Sequence, residues 1–147
     1  MKELIVKSSA FEENKLIPSK YTCYGQNINP PLTIEGIPKE AKSLALVIED
    51  PDAPAGLFTH WLTWNLPTTG IIKEHSAPGT EGLNTSRKPG YTGPCPPSGT
   101  HRYFFRAYAL DTKLNIAPSS DRKTVDNAMQ GHILAQGELM ALYRKSK

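Results

Sequence analysis

Prolines and glycines interrupt this chain so often that few stretches can run as long helices. Thirteen prolines and 11 glycines fall within 147 residues. Proline fixes φ and lacks an N–H, so it ends helices and stays out of central strands. Short strands joined by stiff turns are therefore expected. The length suits one domain, 1–147, with a sizeable core, and 38% hydrophobic residues set the chain apart from disordered compositions.

Between the turns, residues 43–49 (Ser-Leu-Ala-Leu-Val-Ile-Glu) form a nearly continuous apolar run, as in a strand buried on both faces. Residues 59–66 alternate in period two, with His60, Leu62, Trp64 and Leu66 on one face and Thr59, Trp61, Thr63 and Asn65 on the other. Residues 101–110 do the same, placing His101, Tyr103 and Phe105 opposite Arg102, Phe104 and Arg106. Weaker strands are expected near 3–7 and 31–35. One helix is expected from Asp121 or Lys123, where Val125, Ala128, Met129, His132 and Ile133 share a helical face. Gly137 should end that region, leaving 138–143 as a last strand. The expected fold is all-β dominated, an antiparallel β-sandwich of two sheets of Greek-key type, with its main helix near the C-terminus.

Two segments carry the chemistry. Asp50-Pro51-Asp52-Ala53-Pro54 leads to His60-Trp61, and Gly93-Pro94-Cys95-Pro96-Pro97 leads to His101-Arg102-Tyr103. If the first two strands pair antiparallel, Asp50 and His60 lie at one end of the sheet, with Asp52 in the loop between them. Two histidines and a tyrosine can donate to a small anion. The carboxylates make sense behind the imidazoles, each accepting from one ring nitrogen so that the other faces a ligand. A phosphate group suits such a site. Arg102 and Arg106, on the opposite face, are expected at the surface or in ion pairs, and the two tryptophans in the core or pocket wall. Residues 76–100 read as one long ordered loop, and loops of that length are usually functional.

A formal net charge of only +3, without basic runs interleaved with aromatics, leaves out the footprint of a nucleic-acid binder. No apolar stretch approaches the length needed for stable membrane insertion, and Met1 to Lys7 do not resemble a secretory signal, so a cytoplasmic location is expected. Cys23 and Cys95 are too far apart for a CxxC motif. They read as two buried or half-buried thiols; a disulfide is the alternative, because both lie in Pro/Gly-rich loops, although a cytosolic setting disfavours it. Residues 144–147 are expected to be a solvated tail.

At these residues the chain resembles the phosphatidylethanolamine-binding protein family, in its bacterial and archaeal Raf kinase inhibitor-like branch. The likeness extends over residues 17–23 and Asn29-Pro30-Pro31-Leu32, through the Asp-Pro-Asp-Ala-Pro and His-Arg-Tyr elements, to residues 128–135. It implies a β-sandwich with a small anion pocket at Asp50, Asp52, His60, Pro94, His101 and Tyr103, with Phe58 where eukaryotic members carry a tryptophan. It also implies a homodimer.

The function expected is a non-enzymatic binding protein for phosphate or a phosphorylated small molecule (a phospholipid head group, a nucleotide or a phosphorylated side chain), regulating a kinase or another partner. The alternative is a protease inhibitor working through the loop at 76–98. A metal-dependent hydrolase built on His60, His101, Asp50 and Asp52 ranks below both, because no Ser or Cys is clearly paired with a base and no HExxH-type motif occurs. No catalytic residue, metal or cofactor is assigned.

Overall fold

The computed structural model describes residues 2–145, so Ser146 and Lys147 of the expected tail lie outside the described residues. In chain order the elements are β1 (Lys2–Glu3), β2 (Ile5–Lys7), β3 (Leu32–Glu35), β4 (Ser43–Asp50), β5 (Phe58–Leu66), β6 (Ile71–Ile72), β7 (Thr80–Glu81), β8 (Thr100–Leu110), α1 (Arg122–Met129) and β9 (Ile133–Arg144). They form a six-stranded sheet in the order β1-β9-β8-β4-β5-β7 and a three-stranded sheet in the order β2-β3-β6. Pairing is antiparallel except between β1 and β9, which run parallel.

β4 shows why residues 43–49 read as one apolar run. All eight of its residues are buried, and they divide by parity between two cores. Leu44, Leu46 and Ile48 join a cluster that draws on both sheets, including Val6, Leu32, Ile34 and Ile72 of the smaller one. Ala45 and Val47 face the other way, against Leu62, Trp64, Leu114 and the α1 residues Val125 and Met129. Burying two such side chains of α1 contributes roughly 3–6 kcal/mol, which an eight-residue helix needs, since isolated helices of that length do not hold. Asp121 caps it, accepting from the Thr124 amide at 3.0 Å and the Thr124 hydroxyl at 2.8 Å.

Four expectations change. The helix stops at Met129, because Gly131 turns the chain at φ +82° and His132 leaves the helix to bond Asp111 at 2.7 Å. Gly137 lies inside β9 instead of ending a region: a Cβ there would collide with the Leu4 carbonyl, so the missing side chain lets the N-terminal segment cross. That segment is not one strand; at Leu4 it passes from the larger sheet to the smaller. Finally, Cys23 and Cys95 form a disulfide with Cα atoms 5.4 Å apart. The free-thiol expectation fails because two loops 72 residues apart in sequence meet in space, which spacing alone does not reveal.

The strict alternation of 59–66 is also broken, by two bulges. Ile48 pairs with Trp61 and Glu49 with Thr59, so His60 faces no partner in β4. A second extra residue, Asn65, takes φ +55° and ties its side chain to the Leu114 backbone at 2.7 and 2.9 Å. Trp61 and Leu66 consequently join the core shared by both sheets, while Leu62 and Trp64 stay on the helix side. Bulges of this kind re-aim side chains beside functional sites.

Candidate functional site: a cavity at the joined ends of β4, β5 and β8

Asp50 closes β4 with its side chain 4% exposed. Its Oδ1 accepts from the Asp52 amide at 2.7 Å, an Asx-type turn that fixes the following proline loop, and its Oδ2 lies 2.7 Å from His101 Nδ1. Antiparallel pairing of β4 with β8 brings that carboxylate to the start of β8. The imidazole of His101 is thereby held by the carboxylate through Nδ1.

His60, in the first bulge, is held differently. Its Nδ1 lies 2.7 Å from the Thr92 carbonyl, and the Thr92 amide returns a bond of 3.0 Å to the His60 carbonyl. A carbonyl only accepts, so Nδ1 carries the proton. Burial pushes the His60 pKa below its ordinary value, against the Thr92 carbonyl and the nearby Asp50 charge, which pull it up. The ring is then neutral near pH 7 and Nε2 is a bare acceptor. That nitrogen is buried and unpartnered.

Tyr103 completes the set. Its hydroxyl is likewise buried with no partner, and burial together with the Asp50 charge pushes its ionisation far above the usual phenol range, so the group stays a donor. The Tyr103 ring stacks near His101 at 6.4 Å between centroids and meets His60 edge-on at 5.4 Å, while Phe58 lies 4.6 Å from His60. These side chains line one cavity of about 420 Å³, walled also by Ala53, Pro54, Thr92, Cys95, Pro96 and Pro97. Polar groups are thus gathered within a largely apolar, proline-rich wall.

Of the residues expected here, Asp50, Phe58, His60, His101 and Tyr103 line the cavity, and Asp52 and Pro94 do not. Asp52 orients no histidine. It grips Arg102 through three bonds of 2.9 Å, from the backbone amide, Nε and a terminal nitrogen, and Arg102 holds its carboxyl down at about 2. Pro94 is buried behind the wall, where its carbonyl accepts from the Cys23 amide at 3.1 Å. Asp50 serves His101, not His60. Thr92, which fixes His60, carries no sequence signal beyond its place in the loop. Among the described residues, no three His, Cys, Asp or Glu side chains gather as metal ligands would.

A larger cleft of about 570 Å³ opens where β1 and β2 cross β9, lined by Lys2, Glu13, Arg106 and Glu138 among others. Its arginine is already engaged: Arg106 pairs with Glu138 on the cleft wall and with the buried Glu49 behind it, both at 2.8 Å.

Residues 7–144 match the family model described as phosphatidylethanolamine-binding protein. The chain belongs to the phosphatidylethanolamine-binding protein family. A UPF0098 protein of Methanothermobacter thermautotrophicus is 48% identical over 148 residues, covering 95% of this chain and 98% of the relative. A crystal structure from Chlamydia trachomatis, described as a homologue of the family's namesake, superposes with a TM-score of 0.95 at 42% identity and covers 99% of this chain and all of that one. The Escherichia coli protein YbcL, described as a new member of the mammalian family, reaches 0.89 at 27% identity over 98% of this chain and 99% of its own. The family is one of binding proteins by name, and the two sheets with one helix are its fold. No helix among the described residues is long and apolar enough to cross a membrane.

Proposed function

We propose that this protein is a non-enzymatic binding module whose cavity takes a phosphate group, free or as a phosphomonoester on a head group, nucleotide or side chain. The observation that carries this reading is the pair of buried, unpartnered atoms, His60 Nε2 and Tyr103 Oη, carried by two side chains that line one cavity. Unmatched buried polar groups are costly and point to a missing partner. A singly protonated phosphate supplies both needs: its P–OH donates to His60 Nε2, and a charged oxygen accepts from the Tyr103 hydroxyl. His101, held by Asp50 at 2.7 Å through Nδ1, turns its other ring edge to the same cavity. Pro54, Phe58 and Pro97 suit the carbon side of a phosphomonoester.

On this reading a phosphorylated side chain of a kinase or other partner is one guest, in a cytoplasmic homodimer whose two sheets form a sandwich of Greek-key type. Sedimentation would test the dimer. The protease-inhibitor alternative is less well supported. The exposed tip at 85–89 is folded into a tight turn, with Arg87 at φ +62° and its amide bonded to the Asn84 carbonyl at 2.9 Å, whereas a protease cleft takes an extended chain. The test is titration with inorganic phosphate and with phenyl phosphate, followed by NMR. Saturable shifts at His60, His101 and Tyr103 are expected; saturating ligand that leaves these three unmoved refutes the reading.

A further inference from the structure

One wall of the cavity, continuing from Thr92, is built from a segment that can hardly hold itself. In residues 93–97, Pro94, Pro96 and Pro97 have no N–H and cannot join a backbone ladder. What fixes the segment comes from the loop at 21–27. Gly93 donates to Asn27 Oδ1 at 2.8 Å, Cys23 to the Pro94 carbonyl at 3.1 Å, and the Tyr24 hydroxyl to the Pro96 carbonyl at 2.9 Å. The one covalent tie is the Cys23–Cys95 disulfide. Cys95 lines the cavity, yet it is exposed to solvent, while Cys23 is half-buried. Exposed disulfides exchange with thiols far more readily than structural ones sealed in a core.

We propose that this disulfide is a thiol-exchange site, accepting low-molecular-weight thiols at Cys95 Sγ, and that its reduction loosens the cavity wall and weakens ligand binding. The second half rests on the phosphate reading above. An incoming thiolate, such as that of glutathione, forms a bond to Cys95 Sγ as the bond to Cys23 breaks, and Cys23 leaves as a thiolate that takes up a proton. A second thiolate attacks the glutathione sulfur of the mixed disulfide, releasing oxidised glutathione and Cys95 as a thiol. The protein disulfide gains two electrons and two protons, and two glutathione molecules are oxidised to one disulfide. The wall then keeps only its three hydrogen bonds to the loop at 21–27, and the ligand must order what the covalent bond had held in place.

In the test, oxidised protein is treated with reduced glutathione, quenched in acid, alkylated and peptide-mapped. Glutathione on Cys95 with the alkyl label on Cys23 is expected; no exchange, or glutathione on Cys23 alone, overturns the assignment. Inorganic phosphate is then titrated into the oxidised protein, the dithiothreitol-reduced protein and Cys23→Ser, a position outside the cavity lining, with amide hydrogen exchange read in parallel. The reduced and substituted proteins should bind roughly five- to ten-fold more weakly and exchange faster at Cys95 and Ser98. Equal phosphate affinity in all three overturns the gating. If phosphate binds none of them, the phosphate reading falls, and exchange alone decides the wall: faster exchange on reduction supports its loosening, unchanged exchange overturns it.

Discussion

Replacing Tyr103 with Phe removes one oxygen and leaves the ring in place, so it separates the cost of an empty cavity from the gain of a filled one. In the free protein the hydroxyl is buried without a partner. Deleting it therefore breaks no hydrogen bond and relieves part of a desolvation penalty of about 1–3 kcal/mol. Thermal stability should hold or rise, and a gain of about 1 kcal/mol would lift the melting temperature by roughly 3 °C in a chain of this size. With phosphate bound, the same deletion removes a donor to a charged oxygen, worth about 1.5–3 kcal/mol, or roughly 10- to 100-fold in affinity. Calorimetric melts of the empty protein and calorimetric titration with phosphate near neutral pH read the two effects separately. A clear drop in stability would mean that the hydroxyl already has a partner in the empty protein. Unchanged phosphate affinity would remove Tyr103 from the site.

Other perturbations probe the supports of the cavity. Because the folded-state pKa of His60 lies below that of the unfolded chain, the unfolded chain takes up a proton first as pH falls through about 6.5, and stability drops from there toward the folded-state value. His60→Gln should flatten that slope in melts collected from pH 8 to 5, and parallel curves would contradict it. Arg102→Ala breaks the exposed pair with Asp52 and should cost less than about 1 kcal/mol, with phosphate affinity unchanged; a loss as large as that of His101→Ala would place Arg102 at the ligand. Gly137→Ala sets a methyl against the Leu4 carbonyl and should cost about 2 kcal/mol or more in urea unfolding, a figure that an unaltered midpoint would disprove.

Much of the scaffold was legible because burial leaves a period in the sequence. The run at 43–49 identifies a strand covered on both faces, and Val125 with Met129 marks a helix whose apolar side must be covered. Features that depend on a single extra residue left no such trace. The bulge at His60 moves the imidazole to the face of Trp61, so alternation assigns it to the wrong side while proximity to Asp50 still suggests the right neighbourhood. A carboxylate beside two histidines and an arginine can choose any of them, so the sequence leaves the partner of Asp52 open, and only the β8 backbone orientation selects Arg102. A glycine between apolar runs usually marks a stop; Gly137 instead clears space for a segment far away in sequence. Contacts between segments distant in sequence, Cys23 with Cys95 and His60 with Thr92, have no local signature at all.

The register of β9 has a practical corollary. Lys2 pairs with Ala135 near the beginning of that strand, and Arg144 pairs with Thr100 beside the histidines. Nine steps along an extended chain span roughly 30 Å. A surface anchor, fluorophore or affinity handle coupled to the Lys2 side chain would stand well away from the mouth, whereas one coupled to Lys145, whose ammonium sits over the Tyr24 ring, would crowd the entrance and compete with whatever the protein captures.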